Sequence, residues 1–145
     1  SIFHVAISQG EPSLMCSYFD GTDVISTPIV QGVENFQVLY GTSDTSPPDV
    51  PNKYVRADQL TTETQWRTVR SIRVGLVLRG AAGTQQERVS QTFYPFGTAK
   101  SSSTTAAGSA LSSSDDIGTV FTPAVDGRMR MTSTFTVHLR NDQGL

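Results

Sequence analysis

Apolar and polar residues alternate along much of this chain, and a period of two marks strands with one covered face. In Ile2-Phe3-His4-Val5-Ala6-Ile7, residues Phe3, Val5 and Ile7 share one face and His4 takes the other. A second strand is expected over Ser13 to Phe19, ended by the turn residues Asp20 and Gly21. A third is expected over Val33 to Tyr40, with Phe36, Val38 and Tyr40 toward the core and Gly41 closing it. From Val69 to Arg79, Ile72, Val74, Leu76 and Leu78 alternate against Arg73, Gly75, Val77 and Arg79. Near the end, Met129, Met131, Phe135, Val137 and Leu139 hold one parity; Arg128, Arg130, Thr132, Thr134, Thr136, His138 and Arg140 hold the other. A one-residue slip would exchange these sets. The expected core is therefore the apolar parity: Phe36, Val38, Tyr40, Ile72, Val74, Leu76, Leu78, Phe135, Val137 and Leu139.

The segments between the strands read differently. Thr42 to Asn52 carries Pro47, Pro48 and Pro51, whose fixed φ and missing N–H groups exclude helix and central strand, so an exposed loop is expected. Ala57 to Trp66 has a helix-compatible composition but weak periodicity, enough for a short turn of helix. Thr98 to Asp116 includes Ser101-Ser102-Ser103-Thr104-Thr105 and Ser112-Ser113-Ser114-Asp115-Asp116. It holds too few large apolar side chains to offset the entropy of ordering, which predicts a mobile loop. The fold expected is mainly β, a single head over residues 1–145 with an antiparallel sheet of about five to seven strands and long polar loops.

Length and composition narrow the function. A chain of 145 residues suits one domain, and a net charge of -2 gives it no overall reason to bind nucleic acid or an anionic membrane. The single cysteine, Cys16, has no partner for an intrachain disulfide and reads as a small buried hydrophobe. No run reaches the roughly 18 apolar residues of a membrane-spanning helix. The two histidines, His4 and His138, sit on the polar parity of distant strands, where a solvent-facing role is expected. No nucleophile elbow, metalloprotease motif, phosphate loop or dinucleotide fingerprint is present. A hydroxyl without a base beside it is a poor nucleophile, so catalysis is not expected, nor any cofactor or metal. The acidic pairs Asp20/Asp23 and Asp44/Asp49 lack the calcium-loop spacing and read as turn chemistry. Arg73, Arg79, Arg128, Arg130 and Arg140 fall on the outward parity of two strands. They form a candidate partner-contact surface, for which a solvated face is favoured over a protein partner and nucleic acid comes last.

Three blocks then carry a resemblance: Val33-Glu34-Asn35-Phe36-Gln37-Val38-Leu39-Tyr40-Gly41; Trp66 through Val69 into Ile72-Arg73-Val74-Gly75-Leu76-Val77-Leu78-Arg79; and Arg128 and Arg130 leading to Thr136-Val137-His138-Leu139-Arg140-Asn141. In order and spacing they resemble the C-terminal half of PilW-type minor pilins, and Gly10-Glu11-Pro12-Ser13-Leu14 looks like that family's preceding hairpin. The resemblance implies a β-sheet head of the kind shared by type IV pilins and the J-type pseudopilins of type II secretion, α+β once an N-terminal hydrophobic helix is counted. In that family the helix anchors the subunit in the inner membrane and later packs in the fibre core. The leader and helix are missing from the sequence as given, which reads as a mature fragment. What is implied is a non-enzymatic subunit that primes pilus assembly at the tip. Its partners would be other minor pilins and the major pilin, and its place the periplasmic face of the inner membrane and then the fibre. The alternatives are a J-type pseudopilin of type II secretion and a β-sandwich binding or adhesive module; the latter would need an exposed aromatic platform, for which Phe93, Tyr94 and Phe96 are the candidates.

Overall fold

A computed structural model of the chain describes residues 1–43, 50–97, 107–108 and 117–139. The chain is mainly β, as the alternation predicts, with two antiparallel sheets of three and four strands. The first has the order β1-β2-β3, built from β1 (Ile2–Ser8), β2 (Glu11–Phe19) and β3 (Val24–Gln31). Gln9 and Gly10 join β1 to β2 with φ of 52° and 79°. Positive φ at both positions is the two-residue hairpin turn whose twist matches its strands. Asp20 turns β2 into β3: its Oδ1 accepts hydrogen bonds from the backbone N–H groups of Thr22 and Asp23, both at 2.8 Å. The pattern of alternation did not disclose β3, because Pro28 lies inside it; as an edge strand it tolerates the lost donor.

The second sheet has the order β5-β4-β6-β9, from β4 (Val33–Thr42), β5 (Lys53–Val55), β6 (Val69–Arg79) and β9 (Arg130–His138). A two-residue pair, β7 (Ala107–Gly108) with β8 (Ile117–Gly118), stands apart. Between β5 and β6 lie a 3₁₀ turn (Ala57–Gln59) and the short helix α1 (Glu63–Arg67). The helix forms despite its length because Thr62 and Gln65 cap each other: Thr62 Oγ1 accepts from Gln65 N at 3.3 Å and Gln65 Oε1 from Thr62 N at 3.1 Å. The Pro-rich connection expected after Thr42 and the loop expected over Thr98 to Asp116 lie largely outside the described residues, Pro47, Pro48, Asp44 and Asp49 among them.

By contact the chain divides into two compact units, each with its own packing. The first comprises Ser1–Phe36, Leu76–Phe93 and Thr122–Ser133; the second comprises Gln37–Gly75 and the described parts of Tyr94–Phe121 and Thr134–Leu145. In the first unit Met15, Val33, Leu76 and Val77 are buried with Ser13 and Ser17, and Ser17 Oγ lies 2.6 Å from Ser26 Oγ across the sheet. In the second unit Leu39, Tyr54 and Phe96 form one cluster, and Val55, Leu60 and Val69 form another with Tyr40 packed against it. Phe96 fits because two glycines leave it room. A Cβ on Gly75 would sit 2.8 Å from Pro95 Cβ, and one on Gly118 would sit 2.4 Å from Phe96 Cδ2.

The facing of the strands corrects the sequence reading. Two backbone hydrogen bonds, Gly80 N to Met129 O at 2.8 Å and Leu139 N to Arg70 O at 2.9 Å, fit one antiparallel register of β6 and β9. It sets Phe135 beside Val74, Val137 beside Ile72, Met131 beside Leu78 and Thr134 beside Gly75. On β6 the covered face carries Val69, Ser71, Gly75 and Val77, all buried; on β9 Thr134 is exposed, though its hydroxyl donates to Pro95 O. Of the expected core residues only Leu76 is buried; Phe36, Val38, Tyr40, Ile72, Val74 and Leu78 are half-buried, and Phe135, Val137 and Leu139 are exposed. On β6 the less apolar parity is the more covered one, because it has its own means of packing: small residues in the second unit and paired charges in the first. On β9 both parities are exposed beyond the half-buried Arg130 and Ser133. Replacing Gly75 with Ala should therefore destabilise the chain by about 1–3 kcal/mol in denaturant unfolding. Thr136→Ala, on the same strand face as Thr134 and likewise exposed, should stay within about 0.5 kcal/mol.

Candidate interaction surfaces

Three arginines of the first unit do not form an outward basic stripe. Arg79 donates from Nε and Nη2 to Glu11 Oε2 at 3.0 and 2.7 Å, and from Nη1 to Glu34 Oε1 at 3.3 Å. Arg128 donates from Nη1 to Glu11 Oε1 at 3.2 Å and to Gly80 O at 3.2 Å. Arg130 grips two carboxylates with one fork. Its Nη2 lies 3.0 Å from Glu34 Oε1 and 2.7 Å from Asp126 Oδ2, its Nη1 lies 2.8 Å from Asp126 Oδ1, and its Nε donates to Glu34 Oε2. The Arg130 side chain is only 4% exposed and Glu34 11%. Three cations thus meet three anions, and the network has no spare charge for an outside ligand. Asymmetric removal of one member of such a buried set leaves an uncompensated charge.

The fourth arginine is also engaged: Arg73 Cζ lies 3.9 Å from the centre of the Tyr54 ring in the second unit. Arg140 lies outside the described residues. What alternation could not supply were the partners Glu11, Glu34 and Asp126. The available signal was three carboxylates close to strand ends, matching the arginines in number.

Apolar surface takes the outward place instead. In the second unit Phe135 is 47% exposed and Val137 equally so, beside half-buried Ile72 and Val74. In the first unit Met129 and Met131 are more exposed still, and a groove of about 330 Å³ runs past Leu78, Thr84 and both methionines. The three-stranded sheet of that unit has an apolar outer face of its own. Its register places Phe3, Val5 and Ile7 of β1, Leu14, Cys16 and Tyr18 of β2, and Ile25 and Val30 of β3 on one side. The opposite side carries the buried Ser13, Met15 and Ser17. No Lys or Arg occurs before Lys53, so this face has no means of holding an anionic lipid surface. Contiguous apolar area of this kind marks protein contact sites.

The remaining candidates resolve simply. His4 is half-buried on the packed side, correcting its expected solvent-facing place, with Nδ1 buried and without a hydrogen-bond partner; His138 is exposed. Cys16 is half-buried and unpaired. Trp66 stands 41% exposed and meets Tyr40 edge to face at 4.9 Å. The Phe93, Tyr94 and Phe96 group is no exposed platform, since Phe96 is buried and Phe93 and Tyr94 half-buried. Among the described residues no group of three or more His, Cys, Asp or Glu side chains is placed to hold a metal ion, and no helix is long and apolar enough to cross a membrane.

The charge network sets an acid limit. Hydrogen bonds from Arg130 hold the Asp126 carboxyl down from 3.8 to about 2, and those from Arg79 lower Glu11 below its usual 4.5. Because the folded values are depressed, this stabilisation is complete above the unfolded values and is lost as pH falls from about 4.5 through about 2. Arg130→Met should lower stability at neutral pH by on the order of 3 kcal/mol and flatten the acid limb of a stability-against-pH curve. An unchanged acid limb would show that the arginine does not couple to the carboxylates.

A family model described as Type IV Pilus-assembly protein W matches residues 2–141. No curated protein and no solved structure matches the chain.

Proposed function

Since the chain belongs to the type IV pilus-assembly protein W family, we propose that it is a non-enzymatic structural subunit, a minor pilin that takes part in priming pilus assembly at the tip. The observation that carries this reading is the exposed apolar side chains of β9: Phe135 and Val137 stand half open to solvent. A face of this kind suits a subunit that is packed against others in a fibre. The partners are other minor pilins and the major pilin, and the inner membrane through an apolar helix. Ile72, Val74, Phe135 and Val137 are the seat for an apolar helix, because they are uncharged neighbours in the second unit, Phe135 and Val137 exposed and Ile72 and Val74 half-buried. The place of action is the periplasmic face of the inner membrane and then the fibre. The charge network of the first unit supports this reading too, since Glu11, Glu34 and Asp126 are each held by arginines.

The facing decides how substitutions act. In the isolated chain Phe135→Ala should cost about 1–2 kcal/mol, since only about half of the ring is removed from water. Val137→Asp should leave the isolated chain folded, with a melting temperature within a few degrees of the parent, and yet abolish piliation when introduced into the gene in its host. Normal piliation by Val137→Asp would overturn the assignment of this strip to assembly.

A further inference from the structure

Sheet edges that present free backbone groups are templates for another strand, and proteins protect them with proline, charge, bulges or shortness. In the three-stranded sheet β3 is protected. It carries Pro28, and its register with β2 shifts between Leu14 and Met15. β1 has none of these devices. It runs seven residues, Ile2–Ser8, without Pro, Asp, Glu, Lys or Arg. It is an edge strand, and among the described residues no backbone hydrogen bond beyond its pairing with β2 reaches it.

The hairpin fixes which of its groups are free. A two-residue turn closes on a hydrogen-bonded pair, here Ser8 and Glu11. Bonded and non-bonded pairs then alternate, so Ala6/Ser13 and His4/Met15 bond while Ile7/Pro12, Val5/Leu14 and Phe3/Cys16 do not. Pro12, which has no N–H, falls in a non-bonded pair as this demands. The N–H and C=O groups of Phe3, Val5 and Ile7 therefore point out from the edge, and all three side chains lie on the apolar outer face.

We propose that β1 is the docking edge for a second copy of this chain, paired antiparallel about a two-fold axis at Val5. That register sets Val5 against Val5 of the partner and Phe3 against Ile7, so every outward group of the three residues meets a counterpart. It joins apolar side chains that are otherwise exposed, Phe3 at 52% and Ile7 at 71%. It brings no like charges together, because His4 falls opposite Ala6. A two-fold contact closes on itself, and the protected β3 edge stops growth beyond the dimer. The contact is small, so its population depends on concentration. The inference stands apart from the pilus reading, since it concerns the chain alone.

Sedimentation velocity over a wide concentration series tests it. The parent chain should shift from monomer to dimer as concentration rises. Val5→Pro removes an outward N–H without touching the β1–β2 ladder and should hold the chain monomeric, with an unchanged far-UV circular dichroism spectrum. Val5→Lys should do the same at low salt by opposing two charges across the axis, with dimer regained as salt screens them. A parent that stays monomeric at its solubility limit, or a Val5→Lys chain that dimerises as well as the parent at low salt, would overturn the proposal.

Discussion

Three arginine side chains can turn inward from β6, β9 and the segment before it only because Glu11, Glu34 and Asp126 meet them there. Arg130, at 4% exposure, makes two bidentate contacts, to Glu34 and to Asp126. An unpaired guanidinium at that depth would cost several kcal/mol, enough to flip the strand and bring Met131 inward in its place. Side chains of opposite parity cannot both be buried in a strand covered on one side. Once Arg79 and Arg130 are held by carboxylates, Leu78 and Met131 are committed to the outer face. The network thus selects a register in the first unit that hydrophobic burial alone would reject.

The second unit reaches the same facing by a different route. Its inner parity on β6 is Val69, Ser71, Arg73 and Gly75, a row of mostly modest size. Ser71 bonds to the Tyr54 hydroxyl at 3.2 Å, Arg73 lies over the Tyr54 ring, and Gly75 admits Pro95 and Phe96. The bulk that fills the core comes from outside the sheet's alternation. Phe96 follows a proline in an irregular segment, Leu60 lies between a 3₁₀ turn and a helix, and Tyr54 sits on a three-residue strand. Close packing demands that volumes fit, and a glycine opposite a phenylalanine fills space as well as two leucines do.

This explains what could and could not be read from the sequence. The five long strands β1, β2, β4, β6 and β9 were legible, four of them because they alternate over six or more residues and β2 as an apolar-rich run ended by the turn residues Asp20 and Gly21. The helix at Glu63–Arg67 was legible in composition and the Asp20 turn in chemistry. The strand β3 was hidden by Pro28, whose cost depends on whether the strand lies at an edge, a property of the sheet and not of the segment. The facing was hidden more deeply. Alternation states that two sets of residues part company, but which set is covered depends on what lies across from each. Glu34 and Arg130 are 96 residues apart, and Gly75 and Phe96 are 21 apart. Ranking the two parities by hydrophobicity gives the right answer only when inner charges have no partners and inner glycines no ring to admit.

An apolar face left outward separates two roles along a single strand. The half of Phe135 already removed from water contributes to folding of the chain, while the exposed half contributes only when a second surface covers it. Thr134, one residue away, is exposed as well, but its hydroxyl is tied to Pro95 O. A strand with its apolar residues inward would make a more stable isolated head and a surface with little to bind. In the first unit the arginine and carboxylate network holds Arg79 and Arg130, and in doing so it leaves Met131 on the outer face.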